Sequence, residues 1–184
     1  MKIKLTNVRM SFPHLFQPQE QEGGKKTFNA SFILQAGDPQ IKTIEKAIDE
    51  VAKGKWGAKA DGILKQLKAS DKVALHDGDA KTQYDGYEGN MFVSSSRPSD
   101  QGRPLIINRD RSPLVEEDGK PYSGCYVNAS IELWVQDNKF GKRVNASLLG
   151  VQFVKDGDRF AGGSSADESD FDEITDGADA DDMI

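Results

Sequence analysis

A single cysteine in 184 residues, Cys125, excludes an internal disulfide and fits a reducing compartment. The opening MKIKLTNVRM lacks the apolar run of a signal peptide. No stretch approaches the roughly 20 apolar residues that a membrane-spanning helix needs. The expectation is a cytoplasmic protein with no membrane partner. Histidine is equally scarce: His14 and His76 are the only two, and no His-Cys cluster has metal-ligand spacing. A Gly-Lys-Ser/Thr phosphate loop and a Gly-x-Ser-x-Gly elbow are both absent.

The fragment that comes nearest to catalysis is HDGDAK, with His76, Asp77, Asp79 and Lys81. Two carboxylates there could hold a divalent metal for phosphodiester cleavage. Asp-Gly steps are also among the commonest turn residues, and the polar turn is the favoured reading. No enzyme and no cofactor are therefore expected.

What is present is an uneven distribution of charge. The net charge is −6, from 30 acidic residues against 24 Lys and Arg. Nine of the acids fall within residues 167–184, DESDFDEITDGADADDMI, where no base occurs. Residues 1–166 thus keep 21 acids against all 24 bases, a net +3. A mildly basic body with an acidic tail suggests a polyanionic ligand and an interaction tail. Such a tail is expected to be disordered.

The body reads as strands with one helical interruption. KIKLTNVRMSF nearly alternates, with Ile3, Leu5, Val8, Met10 and Phe12 on one face and a slip near Asn7 that suggests a bulge. PHLFQPQEQEGGKK reads as a loop, and TFNASFILQ as a half-buried strand. From Asp38, a plausible N-cap followed by Pro39, the period becomes helical, with Ile41, Ile44, Ala47, Ile48 and Val51 as one stripe. A second helical stretch covers 58–68. KVALH, MFVSSS and PLIIN are short strands, and YSGCYVNASIELWVQ pairs through DNKFG with KRVNASLLGVQFV. The sum is a mainly β protein, an OB-fold-like small β-barrel over residues 1–162 with a helical insertion between strands two and three. The acidic tail, 163–184, follows. The usual OB helix lies instead between strands three and four.

Proteins that hold single strands pair a cationic groove with aromatic platforms, because phosphates need charge and every base has a π-face. The middle of the chain offers both. Tyr84, Tyr87 and Phe92 lie close together, with Lys81 before them and Arg97, Arg103, Arg109 and Arg111 after. Tyr126 and Trp134 share the non-core face of the longest strand. One hairpin tip carries Lys139, Phe140, Lys142 and Arg143, and the first loop carries Lys25 and Lys26. In OB folds the first and last hairpin loops flank the binding face. Phosphate contacts and stacking serve RNA as well as DNA, and a phosphate-reading patch also holds duplex.

KLTNVRMSFPHLF, YEGNMFVSSSRP with INRDRSPL, and YSGCYVNASIELW followed by NKFGKRVNASLLGVQF together resemble the replication single-stranded DNA-binding proteins of tailed bacteriophages. The resemblance covers roughly residues 3–162. It implies an OB-fold that coats single-stranded DNA in replication and recombination, without catalysis or cofactor. It also implies self-association as a homodimer and a tail that recruits replication or recombination proteins. Tail residues suited to docking are Phe171, Ile174, Asp181, Asp182, Met183 and Ile184. Rival readings are a metal-dependent nuclease using Asp77 and Asp79, and a phage structural or recruitment protein without DNA affinity.

Overall fold

The computed structural model describes residues 1–161 and 168–174. Seven strands are formed: β1 (Lys2–Glu20), β2 (Lys26–Leu34), β3 (Leu75–Asp77), β4 (Met91–Pro98), β5 (Leu105–Ile107), β6 (Tyr126–Asn138) and β7 (Gly141–Lys155). Two helices, α1 (Pro39–Trp56) and α2 (Ala60–Ala69), lie between β2 and β3. The sheet order is β3-β4-β2-β1-β6-β7-β5, and β4 also pairs with β7 in parallel at Ser96 and Ser147. That last pairing closes β1, β2, β4, β7 and β6 into a five-stranded barrel of the OB type. The helical insertion falls between the second and third barrel strands, as the periodicity predicts. The segment between the third and fourth barrel strands carries β5 and short 3₁₀ turns instead of a helix.

The bulge foreseen near Asn7 is present. Asn7 has φ 51°, the register with β6 shifts between Leu5 and Val8, and both apolar residues stay buried. The expected loop at PHLFQPQE is a correction: β1 runs on to Glu20. Pro13 and Pro18 are accommodated because the register with β2 shifts between Ser11 and His14 and again between His14 and Gln19. A proline costs no ladder hydrogen bond at such irregularities. The first shift also turns Phe12, expected on the core face, outward: its φ is 50° and its ring is exposed, while Ser11 is buried.

Asp38 caps α1 by accepting the Gln40 N–H at 2.9 Å. Ile44, Ala47, Ile48 and Ala52 of α1 and Ala60, Leu64 and Leu67 of α2 join the barrel core with Phe32, Ile131, Leu133 and Leu148. On β6 the buried Val127, Ala129, Ile131 and Leu133 alternate with more accessible neighbours, which is the period-2 pattern of the sequence.

Candidate nucleic-acid interface

The outer face of the β2–β4 pair is polar and small. Asn29 opposes Ser96 and Ser31 opposes Ser94, while Ala30 and Phe32 point into the barrel. Over this face runs a groove of about 630 Å³. The end of the β1–β2 hairpin (Gln19, Gln21, Lys25) forms one wall. Lys72 to Ala74, His76 and Lys81 form another, and Arg143 to Ala146 of β7 a third. Lys72 is fixed there because its carbonyl accepts the Val144 N–H, and Val73 bridges to Val144.

Four cations, Lys25, Lys72, Lys81 and Arg143, thus line one trough, and the described residues lining it include no aspartate or glutamate. Among the described residues none of the four is ion-paired. Cations facing one another across low-dielectric walls focus a positive potential into the trough, which suits a chain of phosphates. The Ser and Asn side chains of its floor are donors for phosphate and sugar oxygens.

An aromatic cluster stands at one end of the trough. His76 stacks on Phe92 with ring centroids 4.8 Å apart, and the Lys81 ammonium lies 5.5 Å from the Phe92 ring. Tyr87 contacts Phe92 edge-on at 4.8 Å, and Tyr84 follows at 6.0 Å from Tyr87. Phe12 meets Tyr84 at 4.8 Å. The roles within this cluster differ. Phe12 and Tyr84 are exposed, at 43% and 41%, and each presents ring surface to solvent. Tyr87 and Phe92, expected as platforms, are 1% and 4% exposed and form a small core with Ile33. A ring without an open face cannot receive a base, so these two support the platform instead of providing it. Burial pushes the Tyr87 phenol up, offset in part by hydrogen bonds with the Ser11 and Ser31 side chains.

The other expected residues scatter. At the β6–β7 tip Phe140 is 79% exposed, with the Lys139 ammonium 5.1 Å from its ring. Lys142 pairs with Asp137 at 3.4 Å, and Asp137 also accepts the Trp56 indole N–H at 2.9 Å. These hydrogen bonds, that from Trp56 foremost, hold the Asp137 carboxyl below its ordinary range. Trp134 is exposed and stands across the ladder from Asn145, on the flank of the groove. Lys26 is exposed at the start of β2.

The arginines from the end of β4 onward do not gather at the groove. Arg97 lies opposite Phe28 and donates to the carbonyls of Gly102 and Gln101, so it braces its own turn. Arg103 lies 5.6 Å from the Phe16 ring. Arg109 and Arg111 sit in the turn after β5, which pairs with β7 at Gly150 to Gln152, well along that strand from Arg143. Tyr126 occupies a separate hollow between Arg9 and Lys155, whose charged groups lie 5.7 and 4.7 Å from its ring.

Sequence reading missed Phe12, hidden by the apparent alternation of β1, and Lys72, which nothing local marks. Asp77 and Asp79, the candidate metal ligands, accept the backbone N–H groups of Asp79 and Gly89 and so shape their own turn. Among the described residues no group of three or more His, Cys, Asp or Glu side chains could hold a metal ion. No helix of the described residues is long and apolar enough to cross a membrane. Of the tail residues, Phe171 and Ile174 are exposed, and Asp181, Asp182, Met183 and Ile184 lie outside the described residues.

The same fold is found in known proteins. The family profile described as Enterobacter phage Enc34, ssDNA-binding protein, matches residues 1–184. "Putative protein p50" of Acyrthosiphon pisum secondary endosymbiont phage 1 is 45% identical over 179 residues, 95% of either chain. The single-stranded DNA-binding protein from bacteriophage Enc34 in complex with ssDNA superposes with a TM-score of 0.73 at 32% identity, over 87% of this chain and 89% of that one. Gp2.5, a single-stranded DNA-binding protein encoded by bacteriophage T7, shares the fold: its TM-score is 0.58 at 11% identity, over 96% of each chain.

Proposed function

This chain belongs to the family of the phage Enc34 ssDNA-binding protein, and from that premise we propose that it binds single-stranded DNA without sequence selection during phage DNA replication and recombination. It is a binding protein and not an enzyme. The observation that carries the reading is the groove over β2 and β4, in which Lys25, Lys72, Lys81 and Arg143 converge with no carboxylate among the described lining residues. Phosphates would lie against these cations, and bases would turn toward Phe12 and Tyr84. The hairpin ends at Lys25 and Phe140 would flank the strand. Since no base edge is needed for either contact, the binding reads backbone and stacking surface, not sequence.

The barrel domain would comprise residues 1–162, and the acidic segment 163–184 would act as a tethered polyanion. At the effective concentration a short linker provides, it would compete with DNA for the basic groove. Displaced by DNA, it would present Phe171 and Ile174 to replication or recombination proteins. The setting would be the host cytoplasm.

Titration of the purified protein with a labelled oligonucleotide at increasing salt tests the reading, with a duplex of the same sequence alongside. Tight binding of the single strand that weakens steeply with salt is expected, because counterion release sets the slope. No shift at low salt would overturn it. Deletion of residues 167–184 is expected to tighten binding at low salt, and unchanged affinity would remove the competition half.

A further inference from the structure

We propose that Phe160, which lies beyond the last barrel strand, is a positioning residue for the DNA platform: it holds the 82–90 loop, and thereby Tyr84, against the outer face of the barrel. The inference rests on the DNA-binding reading above and assigns part of that site to a segment outside the barrel. After β7 the chain doubles back as a strap, residues 156–161, across the face of β1 and β6. Its fixings are numerous. The Tyr122 hydroxyl donates to the Asp156 carboxylate at 2.7 Å. Arg9 donates to the Asp158 carbonyl at 2.7 Å and to the Gly124 carbonyl at 2.9 Å. The Phe160 N–H donates to the Ser123 carbonyl.

The strap ends on the aromatic loop. The Arg9 guanidinium lies 4.2 Å from the centre of the Phe160 ring. The same ring packs on the small core of Ile33, Tyr87 and Phe92. Gly86 is what lets it approach so closely. At φ +83° this residue has a backbone that side chains rarely adopt, and a Cβ there would come within 2.9 Å of the Phe160 ring. One residue further, the Ala161 N–H donates to the Asp85 carboxylate at 3.1 Å. The strap therefore grips both Asp85 and Gly86, which directly follow Tyr84 on one side and precede Tyr87 on the other. Phe160 itself is not among the residues lining the groove, so its effect on DNA would pass through the loop.

A double-mutant cycle tests this. Phe160→Ala is expected to weaken single-strand binding roughly twofold to tenfold, the usual scale for residues that act through a contact. The salt slope should stay unchanged, because no phosphate contact is removed. In a Tyr84→Ala background the same change should cost little more, whereas in a Lys25→Ala background it should cost its full amount. Phe160→Leu, which keeps apolar bulk against Ile33, should restore most of the affinity. Asp85→Ala should shift affinity the same way without touching the core, which guards against a Phe160 variant that fails to fold. Equal losses in the Tyr84 and Lys25 backgrounds, or unchanged affinity in both Phe160→Ala and Asp85→Ala, would overturn the proposal. If the unmodified protein fails to bind the oligonucleotide, the DNA-binding reading has failed instead.

Discussion

Two segments expose aromatic rings by opposite means. The β6–β7 tip is a two-residue turn between Asn138 and Gly141 that continues a thirteen-residue strand. Asn138 accepts the Phe140 N–H at 2.9 Å, and the ring is left bare. The 78–90 segment has no such ladder. It is tied by Asp77 and Asp79 to its own backbone, by Asn90 to the Gly86 carbonyl and the Ala36 N–H, and by Phe160 from the strap. The tip is a regular hairpin, pinned from outside where Asp137 accepts the Trp56 indole N–H. The loop is a small tertiary core of its own, and two tyrosines three residues apart acquire different work within it.

The sharpest break in that comparison is between Tyr87 and Tyr84. Tyr87→Ala empties a buried site and should cost about 3–5 kcal/mol of stability in a denaturant titration, the range for large buried aromatics. Tyr84→Ala should leave the unfolding midpoint nearly unchanged and cost about 1–3 kcal/mol of single-strand affinity per base no longer stacked. Phe140→Ala, which removes an exposed ring, should affect affinity only. The reverse pattern for the two tyrosines would mean that the loop opens on binding.

The next effect separates charge from stacking. Lys25→Ala with Arg143→Ala should lower the salt slope of single-strand binding by about 0.7 for each phosphate contact removed. Arg109→Ala with Arg111→Ala, away from the groove, should leave the slope as it was. Equal changes for both pairs would show that the sequence cluster of arginines reaches DNA after all.

A smaller, pH-dependent effect belongs to the contact between the tip and α1. Asp137 has a folded pKa depressed first by the Trp56 hydrogen bond and then by Lys142. A depressed carboxyl pKa contributes stability above its unfolded value, near 3.8, and loses it as pH falls through the folded value. Trp56 fluorescence should therefore hold steady down to about pH 4 and shift below it. Asp137→Asn should remove most of that transition.

The smallest expected signal comes from Cys125, buried in the barrel core, where burial pushes its thiol up to about 11. It stays protonated at neutral pH, so a thiol reagent at pH 8 should label it only slowly until the protein is unfolded. Rapid labelling of the folded protein would mean that the barrel opens near the start of β6 much of the time.

Strand and helix periods were legible because each is a local rule. Val127, Ala129, Ile131 and Leu133 alternate, and Ile44, Ala47 and Ile48 recur at helical spacing, whatever they pack against. The Asn7 bulge was legible for the same reason. The extent of β1 was not, since prolines mark a loop unless a partner strand absorbs them in a register shift. Of the candidate site, Lys25 and Arg143 were read from hairpin loops and Lys81 from its place before the aromatic residues. The arginine run from Arg97 to Arg111 stands together in sequence but does not line the groove, because chain neighbours there diverge in space. Lys72 and Phe12 carried no local mark.

The sequence by itself determined a charge-divided, disulfide-free, β-rich chain with one helical insertion, because charge count and hydrophobic period belong to the chain and need no partner. Tertiary structure alone decided which cations face one another and which aromatic rings keep an open side. Those depend on the barrel closing at Ser96 and Ser147 and on the strap folding back over Gly86, and both bring together residues far apart in the chain.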